Sequence, residues 1–279
     1  MGIQLVTLGG LRAFEDTREL EPLLAQRSRA ALLVYLTIER RISRDVVTAM
    51  FWPESDAESA RHALRQSLYH LTKVIGGRDW IEPRAHELRV RPEVEADATS
   101  FASAIEEEDL DRALGIYRGS FLEGVHLVDL RSWECWVDAR RAKWARAFRR
   151  ACRELLDRRV AERNLAAAIA VAERWVAPDP ADDEAQHRLI ATLMIAGERT
   201  EALRQYETYA RLLAQEGLQP LDETRQLVEH LRMERRLPPP APPVARVVRC
   251  RCRMRHQVAR DLDRRRRRRE FSDFPDRPS

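Results

Sequence analysis

The hydrophobic and polar positions divide the chain into two textures, mixed strand and helix at first and purely helical later. From Ile3 to Phe14 the run IQLVTLGGLRAF is β-rich around a Gly9-Gly10 pair. It predicts a strand pair or a small three-stranded sheet that ends near Leu23. Arg27 to Arg40 follows with Ala30, Ala31, Leu33, Val34, Leu36 and Ile38, a helix dense in apolar residues. Ser43 reads as the N-cap of the next helix, with Ile42 and Val47 at hydrophobic-staple positions. That helix runs through Met50, Phe51 and Trp52 and stops before Pro53.

The stretch from Ser55 to Gly77, SDAESARHALRQSLYHLTKVIGG, predicts one long helix. Ser55 and Glu58 have capping-box spacing, and Gly76-Gly77 supplies the stop. Such a helix of about 20 residues is a rod of roughly 30 Å. At about 100° per residue, Ala60, Leu64, Ser67, Leu68, Leu71, Val74 and Ile75 share one sector. His62, Gln66, Tyr69 and Lys73 lie opposite, with Arg65 and Thr72 beside them. This outer face has no carboxylate and carries groups of the kind that read base edges and phosphates. Alone, the stretch also fits a solvated helix face.

Its context narrows the reading. After Gly77, WIEPRAHELRVRP forms two short extended runs about a Pro83–Glu87 turn, with Leu88 and Val90 alternating with Arg89 and Arg91. Small sheet, helix, helix, long helix and hairpin make a winged helix-turn-helix, in which the third helix enters the major groove. The hairpin wing touches backbone or minor groove, which adds Arg84, His86 and Arg89 to the candidates. Asp56 and Glu58 favour the start of the long helix through its dipole but would repel phosphate. The expected DNA face is therefore 62–73, with the acidic turn Glu54–Glu58 directed away, towards protein.

From Asp97 to about Leu237 the pattern is helical and rich in Ala, Leu, Arg and Glu. Helices are predicted at 99–107, 109–118, 131–160, 163–176, 182–196, 198–216 and 221–236. Trp133, Trp136 and Val137 share one face of the longest, as residues packed against neighbouring helices do. NLAAAIAVAERWV from Asn164 aligns with EALRQYETYARLL from about Glu201 at an offset of about 34, the tetratricopeptide period. Ile169 then matches Leu203, Ala172 matches Tyr206 and Trp175 matches Tyr209, with Asp179-Pro180 and Gly197 at the turns. Stacked helix pairs of this kind present a concave protein- or peptide-binding surface. The predicted fold is mostly α: a winged-helix domain at 1–96, an all-α tetratricopeptide-like domain at 97–237, and a disordered Pro/Arg-rich tail at 238–279.

Charge removes an easy argument. The net charge is +4, but residues 238–279 hold 13 arginines against 5 acids, which leaves −4 for the rest. A DNA-binding claim must rest on a local stripe. The tail's PPPAPP linker and run of arginines at 264–269 suit non-specific nucleic-acid binding, and equally a tail with no specific function.

Candidate chemistry is sparse. There is no phosphate loop, GxSxG or HExxH, so no catalytic residues or cofactor are assigned. Cys250, Cys252 and His256 form a CxC…H cluster inside the arginine tail and are not read as a metal site. Cys135 and Cys152, within the long helix, read as small core residues, and the cysteine count is no disulfide framework. No window approaches a membrane span and the N-terminus lacks a signal-peptide pattern, so a cytoplasmic protein without a membrane partner is expected.

Four stretches together carry a family resemblance: Leu36 to Trp52 with FWPESDAESARHALRQSLYHL, YRGSFLEG at 117–124, SWECWVDARR at 132–141, and GERTEALRQYETYARLLAQEGLQPLDETRQL at 197–227. In this order they resemble the bacterial transcriptional activator domain proteins, akin to the Streptomyces antibiotic regulatory proteins. The resemblance implies an OmpR-type winged helix joined to a tetratricopeptide-like activator domain. It further implies a regulator that binds promoter repeats in double-stranded DNA as a homodimer through the helical domain and recruits RNA polymerase. His62, Arg65, Gln66, Tyr69 and Lys73 then occupy recognition-helix positions. Two departures stand out. Residues 1–100 carry 14 basic and 15 acidic side chains, so non-specific affinity should be modest. Larger relatives also continue into an ATPase or further repeats, where this chain has the arginine tail. A protein-interaction scaffold with a winged helix that does not bind DNA is the competing reading.

Overall fold

The computed structural model describes residues 2–77, 79–84 and 86–236. The Pro/Arg-rich tail and its CxC…H cluster lie outside the described residues.

Three N-terminal strands form an antiparallel meander, β1 (Ile3–Val6), β2 (Arg12–Glu15) and β3 (Arg18–Glu19). Ile3 and Leu5 face the core while Gln4 is exposed, the alternation of a half-buried sheet. A single turn, α1 (Glu21–Leu24), leads into α2 (Arg27–Glu39), whose residues from Ala30 to Thr37 are all buried. Arg40 closes α2 with φ 58°. The chain then forms β4 (Arg41–Ser43), α3 (Arg44–Phe51) and α4 (Ala57–Val74). The wing strands are β5 (Ile81–Pro83) and β6 (Glu87–Val90).

Two sheet pairings go beyond the expected hairpins. β4 adds to the wing, giving the order β4-β6-β5. Ser43 thus ends a strand and also caps α3, its Oγ accepting from Val46 N at 3.2 Å. A further strand, β7 (Val94–Ala96), pairs parallel with β1, so the first sheet runs β3-β2-β1-β7.

The start of α4 corrects the capping-box reading. Ser55 is not the cap: the N-cap is Asp56, whose carboxylate accepts from Glu58 N and Ser59 N at 3.0 Å each. Glu58 then stands at the second helical position, where it cannot reach back as a capping-box partner. The backbone bond from Ser59, first among several, holds the Asp56 carboxyl below its ordinary range. A depressed folded-state pKa contributes stability above the unfolded pKa and loses it as pH falls through the folded one. Asp56→Ala should therefore lower Tm at neutral pH, and the gap to wild type should close in acid, below pH about 4. A gap that persisted unchanged at low pH in thermal melts would contradict this role.

The helical half comprises α5 (Asp97–Glu106), α6 (Leu110–Ile116), α7 (Arg131–Ala161), α8 (Leu165–Val176), α9 (Asp183–Ile195), α10 (Arg199–Gln215) and α11 (Asp222–Arg236). α8/α9 and α10/α11 are the two helix pairs at the repeat period, with α9 packed closely on both α8 and α10. The matched positions Trp175 and Tyr209 are both fully buried, and Gly197 turns between the pairs with φ 82°. The Tyr209 hydroxyl donates to Asp183, and burial with that bond pushes its pKa up. Burial likewise pushes the Cys152 thiol up to about 12, as an inert core residue requires. Cys135, by contrast, is exposed and not a core residue, since it lies on the side of α7 away from Trp133 and Val137.

Residues 1–234 form one compact unit. Asp97, the first residue of α5, accepts from Thr7 N at 2.7 Å, Thr7 Oγ1 at 2.6 Å and Leu8 N at 3.2 Å. The YRGSFLEG segment lies against the same loop, with Leu122 N donating to Thr7 O at 2.7 Å and Gly9 N to Ser120 O at 3.0 Å. The approach requires Gly119, since an added Cβ there would stand 2.9 Å from Gly9 Cα. The tryptophans of α7 complete the union. Trp133 lies against Phe51 at 5.6 Å between centroids and Trp136 against Tyr35 at 5.0 Å. Trp136 Nε1 and Arg140 Nη2 both donate to Glu39 Oε1, at 2.7 and 2.6 Å. These rings do pack against helices, but the helices are α2 and α3 of the winged-helix half.

Candidate nucleic-acid interface

The position of α4 follows from its two faces. Ala60, Leu64 and Leu71 are buried, and Ser67, Leu68 and Val74 are half-buried. Arg61, His62, Arg65, Gln66, Tyr69 and Lys73 are left exposed on the opposite side. Between 61 and 73 there is no acidic residue. Tyr69 is 58% exposed, unusual for a ring of its size, and Lys73 Nζ lies 4.6 Å from its centroid. A cation over the ring restrains both side chains and keeps the ammonium near the helix surface.

The five helix candidates from the sequence, His62, Arg65, Gln66, Tyr69 and Lys73, thus share one exposed face. Thr72 departs from it. Its Oγ1 accepts from Trp80 Nε1 at 2.9 Å, which anchors the chain leaving α4. Arg61 was missed, although its position four residues before Arg65 places it on the same stripe.

The wing candidates are less free. Arg41 and Arg89 stand opposite each other across β4 and β6. Like charges so placed repel unless anions intervene. Glu82 and Glu87 do so: Arg41 Nε is 2.8 Å from Glu87, Arg84 is 3.8 Å from each carboxylate, and Arg89 is 3.9 Å from Glu82. The hydrogen bond from Arg41, with smaller help from Arg84 and Arg89, holds the Glu87 carboxyl below its ordinary range. His86 is exposed near the turn, and its carbonyl accepts from Arg44 N at 3.0 Å.

That bond brings α3 to the wing and creates a feature the sequence did not reveal. Between the first turn of α3, the face of α4 and the wing lies an open cleft of about 560 Å³, lined by Arg44, Asp45, Arg61, Leu64, Arg65, Arg84 and His86.

Among the described residues, no group of His, Cys, Asp and Glu could hold a metal ion. Among them, too, no helix is long and apolar enough to cross a membrane.

The chain thus joins a winged helix, whose third helix is free of acids from 61 to 73, to stacked helices. The family model described as "Bacterial transcriptional activator domain" matches residues 83–232, more than half of the chain, and the chain belongs to that family. That family is one of transcriptional regulators. Among solved structures, the fold is similar to that of Mycobacterium tuberculosis EmbR, determined in complex with a low-affinity phosphopeptide. The TM-score is 0.52 and the identity 21%, over 85% of this chain and 66% of that chain. At that identity the likeness shows the fold alone. No curated protein matches the chain. The family match begins at Pro83, inside the wing, so the assignment of α4 stands on its own geometry.

Proposed function

We propose that this regulator is an activator that binds specific sequences in double-stranded DNA, with α4 in the major groove. The observation that carries the reading is the exposed face of α4, six polar or cationic side chains from Arg61 to Lys73 without a carboxylate among them. Gln66 has the donor–acceptor pair that reads adenine, and Arg65 the fork that reads guanine. Tyr69 offers an apolar surface to a thymine methyl. His62 and Lys73, towards the two ends, meet phosphates, as do Arg84 and Arg89 from the wing. Residues 1–96 serve DNA and residues 97–237 serve assembly. Two copies joined through the helical half bind promoter repeats and recruit RNA polymerase. The acidic turn 54–58 faces protein.

The test is a titration of a duplex from the protein's own upstream region at several salt concentrations. Log Kobs should fall linearly with log salt; Lys73→Ala should flatten the slope by about one unit, and Arg65→Ala should cost about 1–3 kcal/mol and relax discrimination at one base position. Binding unchanged by both substitutions contradicts the assignment of that face.

One observation favours a second reading, a protein-interaction scaffold. Each wing arginine already faces a carboxylate, and residues 1–100 sum to −1. No retention of duplex at low salt, together with a stable protein partner, would select it.

A further inference from the structure

We propose that the cleft between α3, α4 and the wing seats a backbone phosphate of the bound duplex, and that Asp45 is a built-in competitor for that seat. The inference rests on the DNA-binding reading and adds residues to it that neither the helix pattern nor the wing pattern supplied. Four guanidinium-bearing residues from three elements line the cleft, Arg44, Arg61, Arg65 and Arg84, against the single carboxylate of Asp45. The Leu64 side chain, buried between them, leaves the floor apolar.

Converging cations repel one another unless an anion lies among them. Arg44 is held in place rather than neutralised: its Nε donates to Arg84 O at 3.3 Å. Among the described residues no acid pairs with Arg44 or Arg65, while Arg84 already stands 3.8 Å from each of Glu82 and Glu87. Arg61 is the one member that meets Asp45, at 3.4 Å between Nη2 and Oδ1, and both side chains are largely exposed. An exposed pair at that distance contributes little to stability and exchanges readily. A phosphate entering the cleft would take Arg61 from Asp45 and leave that carboxylate facing the backbone. Asp45 therefore lowers affinity for any duplex. It does so least where base contacts along α4 hold the phosphate in register, which makes it a specificity device.

The experiment measures duplex binding across salt for the full chain and for Asp45→Asn, Arg44→Ala, Arg61→Ala and the Asp45→Asn/Arg61→Ala pair. Asp45→Asn should bind several-fold tighter at low salt, with more gain on random duplex than on the preferred site. Arg44→Ala and Arg61→Ala should weaken binding and flatten the salt slope by about one unit each. The gain from Asp45→Asn should disappear on the Arg61→Ala background. A gain that persisted there would be long-range charge alone and would overturn the seat, as would an Asp45→Asn protein that bound like wild type. Wild type that retained no duplex at low salt would instead overturn the DNA-binding reading itself. Retention by wild type with all cleft variants silent would overturn the seat alone.

Discussion

Trp133→Ala is expected to lower the unfolding free energy by about 3–5 kcal/mol, the range for removing a large buried ring. Trp133 is 0% exposed and stands at the junction of the two halves, 5.6 Å from Phe51 and 5.2 Å from Trp136. Its Nε1 has no hydrogen-bond partner, so the loss is one of packing and cavity formation rather than of polar contacts. Denaturant unfolding measures it, and Trp133→Phe, which keeps a ring, should lose less. Since Trp133 and the Glu39–Trp136–Arg140 cluster join α7 to α2 and α3, the alanine variant should also loosen the winged-helix half from the helical one. A loss under about 1 kcal/mol would show that the junction is not packed as described.

The second large effect is on binding and should leave stability alone. The triple substitution Arg65→Ala/Gln66→Ala/Tyr69→Ala removes the three side chains best placed to read base edges. A well-formed bidentate contact discriminates by about 1–3 kcal/mol, so losing two such contacts and one apolar contact should cost roughly a hundredfold or more in specific affinity. Non-specific affinity should fall far less, because Arg44, Arg61, Lys73 and the wing remain. All three side chains are exposed, so Tm should barely move. Retained discrimination between specific and random duplex would place base reading elsewhere.

Much of the architecture was legible because it is local. The helices of 97–236 follow the apolar periodicity of their own sequence. The sides of α4 follow from its spacing, because a side chain's face depends only on position along the helix. Non-local features were not legible. β7 has three residues, too few to show a period, and its partner β1 lies about ninety residues earlier. Glu39 meets Trp136 and Arg140 across about a hundred residues. Ser55 and Asp56 are both good caps, and only backbone geometry selects Asp56. Arg44 read as the first residue of an ordinary helix, and its value comes from β4 and β6, whose pairing turns it towards the wing. Glu82 faces Arg89 only once β5 and β6 are in register, so that pairing was not visible in sequence.

The central claim is that the outer face of α4 reads DNA sequence. Selection from a pool of random duplexes, with wild type and the Arg65→Ala/Gln66→Ala/Tyr69→Ala variant in parallel, tests it most directly. The account predicts that wild type enriches one short motif and that the variant enriches none while still retaining duplex at low salt. Wild type that enriched no motif, or a variant that enriched the same one, would contradict it.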